Sequence, residues 1–542
     1  MCSIFAILSH DRLPDDARKV AVRQSNLMSH RGPDASGIVE YPRSILVHNR
    51  ISVVDVFSGG QPLRSPTDRS AVVANAEIYN HERIRERTAG FSYATSSDCE
   101  AILGLLEVLG PDAINQLEGM FAFAYVNDEK REYCVARDHI GILSLYYGYD
   151  ASGRLYVSSE LKSLERVCDW FAVFPPGHYL THATPEPVQY YDPDWRKQED
   201  AEHFAHVEGI NDALTASVRA HLMSDVPVGL LLSGGLDSSL IASIAVKESK
   251  KLGLGKLKSY SVGLDGSPDL EAARDVAEFL GTSHFEYIFD PEEGIDALES
   301  TIYHLESYDV TSVRASVPMY LIARRIRGDG TKVVLTGDGA DEVFGGYLYF
   351  HYAPSALELH KECVDKLGMM HLYDCMRANK TMLSWGVEPR VPFLDKAFLD
   401  YAMTVDPRLK LPSKDKMEKF ILRNAFRGYL PDQVLWRQKE QSSDGVGYSW
   451  IGSLRSYAEA SVSDRQLTDA AHRYKLNTPR SKEALLYRNI FSSLFSSTSA
   501  AECAPSAKFG GNATNRSHKW LGSKFSSDPS GRSISSIHSS FS

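Results

Sequence analysis

Up to about residue 183 the apolar positions fall in short runs separated by turns, over 3–8, 45–54, 71–79, 121–126, 133–136 and 154–158. Several of these runs alternate apolar with polar residues, the mark of half-buried antiparallel strands. Two stretches, 15–28 and 98–109, carry a helical period instead; in the second, Ile102, Leu105, Leu106 and Leu109 fall on one face. Many strands and few helices predict stacked sheets with helical cover over residues 2–183. A linker is expected over 184–204, where the run TPEPVQYYDPDWRKQED is dense in Pro, Tyr and charge. From about 205 the rhythm changes. Val228–Leu232, Lys258–Gly263 and Lys332–Leu335 are continuous apolar strands, each followed by turn residues and a helical stretch. Such alternation predicts a parallel α/β sheet whose ligands sit beyond the strand C-termini. The chain then reads mostly helical from about 354 to 500, closing a second domain over 205–500. Nine of the 18 residues Phe525–Ser542 are serine, so a disordered tail is expected over 501–542.

Composition removes several alternatives. The 542 residues carry 59 Lys+Arg against 70 Asp+Glu, a net charge of −11, so no global basic surface exists to hold a nucleic-acid backbone. No apolar run approaches the roughly 20 residues needed to span a bilayer, and the N-terminus lacks the basic leader of a signal peptide. Seven scattered cysteines without a CxxC pair argue against a disulfide framework and a structural zinc. A soluble cytoplasmic protein is expected, with small-molecule substrates, no nucleic-acid partner and no membrane.

The first strand of the second half runs straight into Ser233-Gly234-Gly235-Leu236-Asp237-Ser238-Ser239 and then a helix. Two glycines let backbone N–H groups turn inward, the helix N-terminus adds its dipole, and the serine hydroxyls add donors, which suits a pyrophosphate. Asp237 would repel a bare phosphate and makes sense as a ligand of the Mg²⁺ that accompanies one. The loop fits neither GxxxxGK[ST] nor GxGxxG. By itself it also reads as a Gly-Gly turn with a helix cap. A second acidic loop, Thr336-Gly337-Asp338-Gly339-Ala340-Asp341-Glu342, follows the third strand. Its three carboxylates repel one another unless a cation is present, and one shared Mg–nucleotide accounts for both loops. Arg314 and Lys439 are candidate holders of the leaving pyrophosphate, though their spacing alone does not require it.

The N-terminus offers a second chemistry. Removal of Met1 leaves Cys2 with its thiol and α-amine on one framework, and an α-amine of pKa near ~7.7–8.0 is a competent base at neutral pH. A cysteine at position 2 usually has no such role. Here it has company in the same half: His30-Arg31-Gly32-Pro33-Asp34, Arg50-Ile51-Ser52-Val53-Val54, Asn75-Ala76-Glu77-Ile78-Tyr79-Asn80 and Ser97-Asp98. Arg50 can grip a carboxylate, Asp98 can hold an ammonium, and an Asn75 amide beside a backbone N–H can form an oxyanion hole. Together these describe a pocket for a free amino acid whose side-chain amide is attacked.

With the motifs MCSIFAIL, HRGPD, NAEIYNH, GMFAFAYV, SSELKSL, LLSGGLDSS, DGADEVFGGYLYFH, RVPFLD and RQKEQSSDGVGYSW, the chain resembles the glutamine-hydrolysing asparagine synthetases of the bacterial and plant B type, to about residue 500. The resemblance implies an N-terminal-nucleophile αββα sandwich followed by a parallel-sheet ATP-pyrophosphatase domain. It implies that Cys2 is the nucleophile, that Arg50 and Asp98 hold the ends of glutamine within a pocket of residues 51–54 and Glu77, and that Asn75 and the N–H of residue 76 bind the oxyanion. In the second half it implies ATP contacts at Leu232, Ser233, Gly234, Gly235, Ser238, Val262, Thr336 and Gly337, with Mg²⁺ on Asp237 and Asp341. Pyrophosphate and the aspartyl-adenylate would lie on Arg314 and Lys439. The implied reactions are glutamine hydrolysis through a Cys2 thioester and conversion of aspartate to asparagine through β-aspartyl-AMP, joined by a closed ammonia passage. A homodimer is a further expectation.

Two positions depart from the pattern. Ala76 replaces a usual glycine, and a positive φ there would cost roughly 1–2 kcal/mol and weaken glutamine hydrolysis. Asp338 replaces a usual glutamate at a position linked to adenylate formation or to proton removal from ammonia. Ser443, a frequent phenylalanine, is less consequential. An amidotransferase acting on another carboxylate, or a paralogue that binds without turnover, remain the alternatives at this point.

Overall fold

The computed structural model describes residues 2–184, 186–197, 209–413, 416–437, 446–505 and 514–521. The first half builds two six-stranded antiparallel sheets. Its strands are β1 (Ser3–Leu8), β2 (Ala35–Tyr41), β3 (Ser44–Arg50), β4 (Leu63–Arg64), β5 (Ser70–Ile78), β6 (Gly119–Asn127), β7 (Glu132–Arg137), β8 (Tyr146–Tyr149), β9 (Leu155–Ser158), β10 (Trp170–Val173), β11 (His178–Thr181) and β12 (Val188–Gln189). One sheet runs in the order β10-β8-β9-β1-β3-β2 and the other β12-β11-β7-β6-β5-β4.

The period of two decides the layering. In β1, Ile4, Ala6 and Leu8 point into the interior shared with Ala71, Val73, Ala122 and Ala124 of the opposite sheet. The alternate residues Phe5 and Ile7 face Ala17 and Ala21 of the helix Ala17–Asn26. On the far side Val72, Ala74 and Phe123 meet Ile102 and Leu105 of the helix Glu100–Leu109. The result is the helix–sheet–sheet–helix sandwich that the resemblance implied. Because β1 is apolar on both faces it is wholly buried, and it fixes Cys2 at the edge of the core.

The second half carries a five-stranded sheet from β13 (Val228–Leu231), β14 (Lys258–Gly263), β15 (Ser283–Ile288), β16 (Val333–Leu335) and β17 (Glu388–Arg390). All pairings are parallel, in the order β15-β14-β13-β16-β17. The direction of strand addition reverses between β13 and β16, and ligand crevices of open α/β sheets lie at that reversal. Both loops singled out above follow these two strands.

Two expectations need correction. Part of the predicted linker is integrated: β12 pairs with β11, and Tyr191 and Trp195 are buried with both polar tips on Asp400 of the second half, at 2.5 and 2.9 Å. Aromatic residues in a Pro-rich run anchor it to whatever apolar surface it crosses. The segment expected as a disordered tail is also structured in part. Residues 501–503 belong to the helix Thr498–Cys503, and Asn515–Leu521 is helical, with Thr514 donating to Glu362 and Arg516 paired to Glu358. The Ser-rich run itself lies outside the described residues. Among the described residues no helix is long and apolar enough to cross a membrane.

Candidate active sites

The Cys2 nitrogen donates to Oδ1 of Asn75 at 2.7 Å, and the Cys2 thiol reaches the carbonyl of Ile51 at 3.7 Å. Asn75 lies on β5 with no exposed surface, and among the described residues its Nδ2 has no hydrogen-bond partner. A buried donor of this kind costs about 1–3 kcal/mol unless a ligand meets it. Burial pushes the Cys2 thiol above its ordinary pKa. Ala76 sits in the extended backbone of β5 and is not among the residues of positive φ. The feared strain is absent, and its methyl packs in the apolar cluster with Ile102.

Arg50 closes β3 and is buried, its guanidinium held by the carbonyls of Val54, Asp55 and Val56 at 3.1, 2.6 and 3.3 Å. The 51–56 segment therefore wraps the arginine and sets its direction. Asp98 accepts from the N–H of Ile78 at 2.7 Å, and its burial raises its pKa. A buried carboxylate in that state gains from an arriving cation.

In the second half, Gly234 takes φ +72°, a left-handed turn that L side chains avoid, and a methyl there would run into the backbone of Ala273. The turn delivers the chain into the helix Leu236–Leu252. Ser238 Oγ ties the loop by accepting from the N–H of Ser233 at 3.1 Å. Gly337 has no room for a side chain, because a Cβ would come 2.6 Å from the N–H nitrogen of Ser238. The two loops thus touch backbone to backbone across the reversal point. Thr336 donates through Oγ1 to Asp338 at 2.7 Å, and Arg377 pairs with Asp338 at 3.3 Å. Leu232 is buried at the end of β13, and Val262 stands half-buried near the end of β14. One ammonium, Lys419 Nζ, lies 2.6–2.7 Å from both oxygens of Asp237 and 2.5 Å from Asp341.

Family models match both halves: the glutamine amidotransferase domain over residues 1–187 and asparagine synthase over 209–359 and 353–521. Asparagine synthetase B [glutamine-hydrolyzing] of Escherichia coli is 50% identical over 100% of both chains. Asparagine synthetase [glutamine-hydrolyzing] 1 of Arabidopsis thaliana is 44% identical over 99% of this chain and 94% of its own. The chain belongs to the glutamine-hydrolysing asparagine synthetases.

Within this synthetase several of these residues are tied to partners that sequence reasoning did not single out. Arg31, of the HRGPD run, donates to the Cys2 carbonyl at 3.2 Å, to Glu160 at 3.0 Å and to Asn379 of the second half at 2.9 Å. Glu77 pairs at 2.7 Å with Arg390 of β17, which also holds Glu388 at 2.6 Å. Asp34 pairs with Lys332 at 2.6 Å. Burial pulls the Asp34 carboxyl upward, but Lys332 and the N–H of Ser52 outweigh it and hold it below the usual range. Arg314 forks onto Glu483 at 2.6 and 2.7 Å, both side chains buried. Lys439 and Ser443 lie outside the described residues. Nothing in local sequence marks Lys419, Arg377, Asn379 or Glu483; only their partners, far away in the chain, do.

The acidic loops also pass a test as a metal site. Among the described residues no three His, Cys, Asp or Glu side chains converge as a metal cage. Two carboxylates do converge on one cation, the ammonium of Lys419. Mg²⁺ is commonly taken by one or two carboxylates with waters and substrate phosphates completing the octahedron. The pair Asp237 and Asp341 fits an ion delivered with a nucleotide.

Proposed function

We propose that this synthetase makes asparagine from aspartate, ATP and glutamine, with residues 2–183 releasing ammonia and residues 205–500 consuming it. The observation that carries the reading is the Cys2–Asn75 pair: Oδ1 is committed to the Cys2 nitrogen, so the buried Nδ2 stands ready next to the nucleophile.

Glutamine is gripped by Arg50 at its carboxylate and Asp98 at its ammonium, within the pocket of Ile51, Ser52, Val53, Val54 and Glu77. The Cys2 α-amine takes the thiol proton as sulfur attacks the amide carbon. Asn75 Nδ2 and the N–H of Ala76 hold the oxyanion. Collapse expels ammonia with the proton returned by the amine, and water then cleaves the thioester to glutamate. One apolar cluster contains Cys2, Met120, Ile142, Leu232 and Val391 and so runs from the nucleophile to the nucleotide loop. An apolar route suits ammonia, which water would protonate.

In the second half, Ser233, Gly234, Gly235 and Ser238 cradle the triphosphate, while Leu232, Val262, Thr336 and Gly337 frame the rest of ATP. Asp237 and Asp341 would hold Mg²⁺, which when bound screens the charge of the phosphates. The aspartate β-carboxylate attacks the α-phosphorus and releases pyrophosphate, for which Arg314 and Lys439 are the candidate cations. Ammonia then attacks the acyl carbon of β-aspartyl-AMP and AMP leaves. Asp338, which Thr336 and Arg377 contact, would take the surplus ammonia proton. A cytosolic homodimer completes the proposal.

The test is pyrophosphate release by the purified chain with Mg-ATP and aspartate, using glutamine or ammonium chloride as donor. Asparagine, AMP and pyrophosphate in equal amounts with either donor are expected, with glutamate matching them when glutamine is used. Silence with both donors would overturn the reading.

A further inference from the structure

Lys419 is out of place by every local rule. It stands at the start of the helix Phe420–Ala425 with φ 57° and ψ 25°, a left-handed backbone that a side-chain-bearing residue enters at a cost. Its long cationic side chain is only 2% exposed. Burial of that kind is tolerated only when the charge is paired. The pairing is what the strain sustains: the ammonium bridges Asp237, from the loop after β13, and Asp341, from the loop after β16. The fold also clears a path for it. A methyl placed on Gly346 would collide with Cε of Lys419 and Oδ1 of Asp341, so the second glycine of Phe344-Gly345-Gly346 is the slot through which the lysine reaches the carboxylates.

We propose that Lys419 is a resident counter-cation that holds the metal site closed until nucleotide arrives. This rests on the assignment of Asp237 and Asp341 to Mg²⁺ made above. A divalent ion entering alone must displace an ammonium from two charge-assisted contacts and leave it buried without an acceptor. An ion entering with a triphosphate brings its own oxygens, which complete the metal's shell and give the displaced ammonium new acceptors. Metal and nucleotide therefore load together, and the lysine-bridged carboxylates do not capture stray divalent cations.

The experiment is Mn²⁺ binding to the full chain without nucleotide, read from the electron paramagnetic resonance of free Mn²⁺. K419M is expected to bind one Mn²⁺ at least about tenfold more tightly than the wild type, and D237N in the K419M background is expected to abolish that gain. K419R, which keeps the charge, should stay near wild type. Thermal melts establish that each variant is folded, and K419Q carries the same expectation should K419M fail to fold. Equal Mn²⁺ affinity in the wild type and the neutral variants, or a gain insensitive to D237N, overturns the proposal. The underlying assignment is tested apart from it: D237N and D341N should raise the Mg²⁺ concentration required for pyrophosphate release. If they do not, the metal assignment fails; if they do while K419M gains no affinity for Mn²⁺, only the role of the lysine fails.

Discussion

The nitrogen of Cys2 and Oδ1 of Asn75 are 2.7 Å apart, and that single bond orients the asparagine amide, because the end that accepts from Cys2 cannot also donate. The buried NH₂ end is left without a partner among the described residues. N75A should lower kcat for glutamine hydrolysis by about 10²–10³, the usual cost of one oxyanion donor, and N75D should do at least as much by setting a carboxylate against the oxyanion. Ammonium-dependent asparagine formation should be unchanged in both. Parallel loss of the two activities would mean that Asn75 acts through the fold.

Ala76 gives a prediction of no effect. Its extended backbone leaves nothing for a glycine to relieve. A76G should leave kcat/KM for glutamine within about threefold of wild type while lowering stability by roughly 0.5–1 kcal/mol through added chain entropy. A large gain in glutamine hydrolysis would show that the methyl does obstruct the site.

Arg390 is buried between Glu77 of the first half and Glu388 on its own strand, and these two carboxylates keep it charged. R390M removes the cation that Glu77 and Glu388 share and should cost about 3–5 kcal/mol. The triple variant E77Q/E388Q/R390M should recover most of the lost melting temperature, since the penalty comes from unpaired charge and not from lost volume. A triple variant as unstable as R390M would point to packing instead.

Three buried histidines, His48, His139 and His221, and two half-buried ones, His304 and His371, are held to about 3 by desolvation, against 6.5 when exposed. Each is neutral in the folded chain and protonates on unfolding, so its contribution to stability is intact above pH 6.5. It is lost as pH falls from 6.5 towards 3, at up to about 1.4 kcal/mol per pH unit for each group. Melting temperature should be flat from pH 7.5 to 6.5 and fall steeply below. H48Q, which removes one titrating group, should shallow that fall. A melting temperature that stays constant down to pH 5 would contradict neutral burial of these rings.

The short, fully apolar β1 and the period-two strands behind it were legible in sequence because alternation is written residue by residue. So were β13 and β16, whose continuous apolar runs suit a sheet covered on both faces, and β14, in which Tyr260 and Val262 alternate with serine. β17 was not: Glu-Pro-Arg carries no strand signal, and it pairs with β16 while Glu77, His221 and Met223 supply partners for Arg390. β15 was missed for a milder reason, since an edge strand with half-exposed residues alternates weakly.

The chemistry divides along the same line. Cys2, Asn75, the SGGLDSS loop and the acidic loop are local patterns, and sequence alone singled them out as candidates. What the tertiary structure decided is how charge is balanced between them: Arg31 tied at once to Cys2 and Asn379, Arg390 to Glu77, and Lys419 to Asp237 and Asp341. Coulombic partners are chosen by distance in space, and residues 182 positions apart, such as Asp237 and Lys419, leave no periodic trace along the chain. A methyl group announces its environment through its neighbours in sequence, whereas a buried charge is explained only by the opposite charge the fold brings to it.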